Sequence, residues 1–316
     1  MLRRWSSLSD SLEQGEIPNF WKLANISPIY KKGSKILAEN YRPVSLTSAP
    51  CRILESMIRD RILDHLNHNA PITKKQHGFV KGKSCTTNLI ETLDEITKSL
   101  DKRVPVDVIY LDFAKAFDSV PHRRLLLKLE KYGIDGRLLE WIRSFLSNRN
   151  QRVVQGKNLS SWKDVWSGVP QCSVLSPLLF LIYINYLADQ IRSSLKLFAD
   201  DVKLISSLDS ANKQLIVQDD LNTITNWSEA WLIKFNVNKC KVMHFGLGNS
   251  RFEYVLRDNN LDIKLTKSEL EKDLGVYISS NLKWKDHVNF SSSKANQILG
   301  ILKRTFSYLD IKTVKL

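Results

Sequence analysis

Cysteine is scarce and scattered in this chain of 316 residues: Cys51, Cys85, Cys172 and Cys240 stand 34, 87 and 68 positions apart. No Cys-x-x-Cys and no clustered Cys/His pair occurs, which argues against zinc modules and disulfide scaffolds and makes a reducing compartment the default. Twelve Gly and nine Pro are too few for a collagenous or low-complexity chain. No stretch approaches the ~20 apolar residues of a membrane helix. The longest candidate, 178–188, is broken by Asn185 and reads as a buried helix. The opening Met-Leu-Arg-Arg-Trp-Ser lacks the apolar core of a signal peptide. An intracellular protein, nuclear or cytoplasmic and not secreted, is therefore expected.

What the chain has is positive charge: 47 Lys and Arg against 33 Asp and Glu, a formal +14. Residues 22–83 carry twelve basic side chains against four acids, and residues 281–316 carry seven against two. Patches of this kind suit a polyanionic partner, because Lys and Arg that neutralise phosphates release condensed counterions. The same patches also serve a merely soluble surface, so charge alone leaves nucleic acid open.

Helical periodicity appears over 51–66, where Ile53, Leu54, Met57, Ile58, Ile62 and Leu66 recur at steps of three and four. It predicts further helices over 87–100, 121–132 and 137–149. The continuous apolar run 106–112 suits a buried strand, and 195–198 with 202–205 suits two short strands around Ala199-Asp200-Asp201. Residues 239–245 and 274–278 read as strands, and 257–260 as a turn. Strands and helices alternate without βαβ regularity, so the expected class is α+β, with helices packed on an antiparallel sheet.

Asp112 ends the apolar strand, and burial there costs several kcal/mol unless the carboxylate is paired or binds a metal. Asp200 and Asp201 sit together at the hairpin turn, 88 residues on. An Asp pair in a turn ordinarily only bonds its own backbone. Adjacent carboxylates in an apolar frame nevertheless repel, and a divalent cation relieves the repulsion. Three carboxylates from neighbouring strands suit hard, oxygen-seeking Mg²⁺, with water and substrate phosphates completing the octahedron. Asp118 is placed to cap a helix opening near Pro121.

The combination resembles a known family, the reverse transcriptases of non-LTR retrotransposons, most of all those of jockey-type mobile elements. The likeness runs from Ile17-Pro-Asn-Phe-Trp-Lys-Leu-Ala-Asn-Ile through Tyr41-Arg-Pro-Val-Ser-Leu and Gln76-His-Gly-Phe. It continues through Tyr110-Leu-Asp-Phe-Ala-Lys-Ala-Phe-Asp-Ser and Ser167-Gly-Val-Pro-Gln-Cys, then Leu197-Phe-Ala-Asp-Asp, Asn238-Lys-Cys-Lys-Val and Lys272-Asp-Leu-Gly-Val. The resemblance implies a right-hand polymerase fold, with fingers and palm over 1–280 and the start of a thumb-like basic helical region over 281–316. It also implies a thumb cut short and no endonuclease domain before the fingers. The implied activity is RNA-directed DNA polymerase, a nucleotidyl transfer from dNTPs to a DNA primer 3′-OH on an RNA template. Two Mg²⁺ ions would serve, with Mn²⁺ as a substitute. No membrane partner is implied, and protein partners are not legible.

Residue by residue, the resemblance assigns Asp112, Asp200 and Asp201 to the metals. It places Phe117 under the incoming sugar, where it excludes a ribose 2′-OH, and Gln171 against the incoming nucleotide. Phe113 is assigned to the nucleotide as well. Arg42, with Lys31 or Lys32, falls where the fingers hold the triphosphate, and Arg geometry suits bidentate phosphate contact. Lys239 matches a lysine that protonates pyrophosphate; a solvated strand-end lysine is the plainer reading. Phe117 as simple core packing is likewise the plainer one.

Three departures stand out. Cys172 replaces the glycine of Pro-Gln-Gly, Tyr186 replaces an Asp, and Val80 replaces an Arg. They raise the alternative of a catalytically weak or inactive nucleic-acid-binding remnant. If position 172 requires positive φ, a side chain there is strained where glycine is not.

Overall fold

The computed structural model describes residues 2–31, 33–69, 71–210, 212–258 and 261–306, with only the backbone of 2–7. Along the chain, α1 (Leu2–Gln14) leads to β1 (Leu23–Tyr30), β2 (Tyr41–Leu46), α2 (Ala49–Asn69) and α3 (Cys85–Asp101). Next come β3 (Val106–Asp112), α4 (Ala116–Ser119), α5 (His122–Lys131) and α6 (Gly136–Leu146). Three short strands follow, β4 (Arg149–Gln155), β5 (Asn158–Leu159) and β6 (Lys163–Val165), and then α7 (Ser176–Ile184). The hairpin β7 (Ser194–Phe198) and β8 (Asp201–Ser207) precedes α8 (Lys213–Trp231) and β9 (Lys241–Phe245). The last part holds β10 (Val255–Asp258), β11 (Leu261–Lys264), β12 (Thr266–Lys267), β13 (Leu270–Asp273), β14 (Val276–Ser279) and α9 (Lys285–Thr305).

The sheet that carries the carboxylates runs β12-β9-β3-β8-β7, and β3 lies at its centre. Both of its faces are covered, which is why 106–112 reads as a mainly apolar run rather than an alternating one, and Asp107 within it is buried on a hydrogen bond from Tyr254. Ile109 and Leu111 join Val202 and Leu204 in the large core, with helix residues such as Phe180 and Leu221. Val106 and Val108 join Ile205, Met243 and Phe245 in a second core capped by Leu89 and Ile96 of α3. A capping box at Ser84, reciprocated by Thr87, starts α3.

A second sheet, β2-β1-β4-β5 with β6 on β4, was not legible in the sequence. The expected antiparallel architecture holds with two exceptions, the parallel pairs β1–β4 and β12–β9. The helix expected over 137–149 ends at Leu146, because Ser147 is extended, Asn148 turns left-handed at φ 54°, and Arg149 opens β4. The turn expected over 257–260 falls partly outside the described residues, between paired β10 and β11. Helix α9 buries none of its residues and exposes Ile298, Leu299, Ile301 and Leu302. No helix among the described residues is long and apolar enough to cross a membrane.

Candidate active site

Antiparallel pairing sets Asp112 of β3 directly opposite Asp201 of β8. The hairpin between β7 and β8 closes with Ala199 and Asp200, and Ala199 takes φ 53°. Two strand ends and one tight turn thus bring Asp112 to the neighbouring pair Asp200 and Asp201, 88 positions further along the sequence. Burial, followed by the charge of Asp112, raises the Asp200 carboxyl, while Arg42 and Lys239 pull it back. Burial, then Asp200, Asp112 and Asp273, pushes Asp201 up to about 6. Lys239, held at the end of the short turn before β9, donates from Nζ to Asp112 Oδ2 at 3.1 Å.

This donor set is all oxygen, the chemistry a hard divalent cation takes. The raised Asp200 and Asp201 mark negative charge that the protein leaves only partly compensated. The residues fit a cation in kind. They do not form a ready cage, since no group of three or more ligating side chains is gathered for an ion among the described residues.

A second group forms on the loop 167–171. Gly168 takes φ 87° and passes so close to Asp118 that an added Cβ would lie 2.6 Å from its Cα. The backbone N–H of Val169 donates to Phe117 O at 2.7 Å, and Ser167 Oγ donates to Asp118 O at 2.9 Å. Gln171 Nε2 donates to Asp118 Oδ1 at 2.9 Å. Asp118 is therefore not a helix cap: α5 begins at His122 after Pro121 and has no side-chain cap. The Phe117 ring is half-buried and stacks on Phe180 at 4.6 Å, which fixes its orientation. This loop edges a cavity of about 320 Å³ whose other walls include Pro43, Lys115, Arg149 and Trp166.

Two expected nucleotide contacts are not brought to the carboxylates by their side chains. The Phe113 ring is buried, stacked on Phe235 at 4.3 Å, so its ring belongs to the core and only its backbone remains for a ligand. Lys31 is exposed at the end of β1, where its N–H donates to Asn40 O, and Lys32 lies outside the described residues. Arg42 is exposed on β2, near enough to lower Asp200.

Sequence reasoning missed three supports. Buried Glu55 accepts from Val174 N at 2.8 Å, Leu175 N at 3.1 Å and Ser173 Oγ, tying the segment after Cys172 to α2. Lys203 and Asp273 form a buried pair behind Asp201. Gln76 accepts from the turn itself, at Ala199 N. Glu55 and Lys203 had a signal, a lone charge within an apolar run; Gln76 had none beyond its block.

The reverse transcriptase (RNA-dependent DNA polymerase) family model matches residues 29–302. The chain belongs to this family. It is 29% identical over 238 residues to the probable RNA-directed DNA polymerase from transposon BS of Drosophila melanogaster, covering 70% of this chain and 26% of that protein. It is 27% identical over 289 residues to the RNA-directed DNA polymerase from mobile element jockey of the same species, covering 88% of this chain and 31% of that one. The chain thus spans about a third or less of the length of these curated relatives. Among solved structures, telomerase from Candida albicans with a TWJ fragment of telomeric RNA gives a TM-score of 0.54 at 14% identity, covering 89% of this chain and 49% of that one. The Candida tropicalis counterpart gives 0.53 at 13% identity, covering 82% and 47%. At these identities the likeness concerns the fold, a mixed α/β polymerase fold.

Proposed function

We propose that this chain is the RNA-directed DNA polymerase of a jockey-like non-LTR retrotransposon, extending a DNA primer on an RNA template with dNTPs. The observation that carries the reading is the facing pair Asp112 and Asp201 beside the Asp200 turn, within a member of the reverse transcriptase family. The carboxylate sheet is the palm and the β1–β2–β4 sheet the fingers of a right hand over 1–280; the thumb-like region expected over 281–316 begins with α9, and 307–316 lie outside the described residues. The protein works inside the cell, where its nucleic acids are.

Asp112, Asp200 and Asp201 would hold two Mg²⁺ ions, or Mn²⁺, which when bound activate the primer hydroxyl and neutralise charge on the triphosphate. The chain's own residues do the positioning, which supplies most of the catalysis in phosphoryl transfer. Arg42 faces the triphosphate from the fingers. Gln171, steered by Asp118, and Phe117, braced by Phe180, shape the floor beneath base and sugar. Lys239, paired with Asp112 through Nζ, serves in this reading as the proton donor to departing pyrophosphate.

Primer extension on poly(rA)/oligo(dT) with Mg²⁺ tests the reading. Wild type extends, and the variant carrying both Asp200→Asn and Asp201→Asn does not, while both bind RNA equally. Extension by that double variant at the wild-type rate would remove the assignment.

A further inference from the structure

The turn that presents Asp200 is held from outside its own hairpin. Segment 75–78 runs parallel to the end of β7: Leu197 N donates to Lys75 O at 2.9 Å and His77 N donates to Leu197 O at 2.8 Å. Asn88 Nδ2 adds a donation to Leu197 O at 3.2 Å. From this edge the buried Gln76 side chain reaches past the strand end, and its Oε1 accepts from Gly78 N at 2.7 Å and Ala199 N at 2.9 Å. Both partners are N–H donors, so the orientation of the amide is fixed by chemistry. Gly78 closes the arrangement: an added Cβ would lie 2.5 Å from Ala199 N, so the two backbones touch.

Ala199 sits at φ 53°, a conformation disfavoured for a residue with a Cβ. Nothing in the alanine itself selects that geometry. The β7–β8 ladder ends at the Phe198–Asp201 pair. Beyond it the acceptor that engages the Ala199 N–H is Gln76, whose own backbone is anchored by separate bonds.

We propose that Gln76 is a positioning residue of the active site, fixing the Ala199–Asp200 turn so that Asp200 is presented beside the Asp112–Asp201 pair that the β3–β8 ladder sets in register. It touches no reacting atom and acts through the Ala199 amide. The kinetic half of this inference rests on the polymerase reading; the structural half does not.

Gln76→Met keeps the length and apolar volume of the side chain and removes the acceptor. The Lys75–Leu197 and His77–Leu197 bonds are backbone bonds and persist, so the fold survives. Amide exchange of the peptide spanning 198–202 should quicken at least tenfold in this variant. The kcat for primer extension should fall at least tenfold, about 1.4 kcal/mol on the barrier, with KM for dNTP and RNA affinity within twofold of wild type. Gln76→Glu, which retains the acceptor, should restore slow exchange and most of the kcat. Gly78→Ala, whose Cβ would lie 2.5 Å from Ala199 N and 3.1 Å from Gln76 Oε1, crowds the same contact from the other side and should also lower kcat.

Unchanged exchange in Gln76→Met overturns the proposal, as does quickened exchange with unchanged kcat. A fall in melting temperature for Gln76→Met with kcat preserved assigns Gln76 a purely structural role and likewise overturns it. Wild type that extends no primer defeats the polymerase reading instead, and the exchange comparison then decides by itself whether Gln76 holds the turn.

Discussion

Lys203 Nζ lies 2.6 Å from Asp273 Oδ2, and both side chains are almost sealed from water. Lys203 belongs to β8, two residues beyond Asp201, and Asp273 ends β13, so the pair joins the β13–β14 hairpin to the carboxylate strand. Burial lowers the lysine and raises the aspartic acid despite their attraction. Desolvation therefore outweighs the pairing on both sides, and the bridge contributes little net stability while fixing which groups meet.

Removing one partner should thus cost far more than removing both. Lys203→Met leaves a buried carboxylate behind Asp201 and should lose about 3–5 kcal/mol in urea unfolding, whereas Lys203→Met with Asp273→Leu should recover most of that loss. Equal losses in the single and double variants would mean the pair is a true net stabiliser.

For the candidate-site carboxylate Asp201, removal of the side chain should act in the opposite direction. Asp201, pushed up to about 6 by burial and its acidic neighbours, disfavours the folded state above pH 6, where it must ionise. Its folded pKa lies above the unfolded one, so this penalty fades as pH falls from 6 towards 4. Asp201→Asn should therefore abolish primer extension yet raise stability, on the order of 1 kcal/mol after solvent screening, or about 1–2 °C in Tm. The gain should disappear near pH 4. A loss of stability at pH 7.5 would contradict the strained-carboxylate account.

How much of this was readable in the sequence follows from which faces are buried. β3 was legible to its last residue because both of its faces are covered, leaving a mainly apolar signal from Val106 to Leu111, interrupted at Asp107, whose buried carboxylate accepts from Tyr254 Oη at 2.7 Å and Asn249 Nδ2 at 2.8 Å. The β7–β8 hairpin was legible because its apolar residues flank an acidic turn. The β1–β2 pair was not: it is half-exposed, and its register sets Pro28 opposite Pro43, so the usual strand composition is missing. Alternation in β8 would point Lys203 outward, and only the distant Asp273 explains why it is buried. Gln76 works across 123 positions of sequence on a backbone N–H, which leaves no periodic trace. The carboxylates drew notice because their chemistry stands out; the residues packed around them are ordinary ones in unusual places.

Lys128 offers a pH test that is independent of the active site. Its Nζ sits 4.0 Å from the centre of the Trp231 ring and donates to Tyr183 O; burial, with a smaller push from Lys131, lowers it from 10.5 to about 8. That gap amounts to about 3 kcal/mol against the folded state below pH 8. Between 8 and 10.5 the unfolded chain binds more protons than the folded one, so this penalty is relieved as pH rises. Comparison with Lys128→Met cancels the opposing trend of the buried tyrosines Tyr183 and Tyr254, which burial raises. The stability of the Met variant relative to wild type should change little near pH 7 and decline from about pH 8 to pH 10. A difference independent of pH would show that Lys128 titrates normally.

Phe117 tests sugar selection. Its ring is held by the Phe180 stack at 4.6 Å rather than free to swing, so a 2′-hydroxyl meeting its edge could not be accommodated by rotation. Phe117→Ala should admit ribonucleotides at least tenfold more readily in competition with dNTPs, a change of about 1.4 kcal/mol. It should also lose about 1–3 kcal/mol of stability through the vacated packing. Unaltered discrimination with lowered stability would leave Phe117 as core alone.

Cys172 is the position at which the activity of this chain can be tested against backbone strain. The sequence raised the question of whether position 172 needs positive φ, and the structure gives it φ 68° with its side chain exposed. It follows Gln171, whose amide is aimed by Asp118, and precedes Ser173, Val174 and Leu175, which are pinned to Glu55. The backbone is therefore fixed on both sides and cannot relax to suit the Cβ. A non-glycine residue in the left-handed region costs on the order of 1–2 kcal/mol, and part of that strain is expected to displace Gln171. Cys172→Gly removes the strain, at the expense of some unfolded-state entropy that glycine adds, about 0.5–1 kcal/mol. Stability should hold steady or improve by up to about 1 kcal/mol. Primer extension should rise at least tenfold, about 1.4 kcal/mol off the barrier, because the loop regains both its relaxed backbone and room beside the nucleotide. Cys172→Ala separates the two effects, since it keeps the strained Cβ and removes only the sulfur: a rise with Gly but not Ala assigns the defect to the backbone. No change with either substitution in an active enzyme would show that the loop tolerates the thiol, and the weak-remnant alternative would lose its principal support.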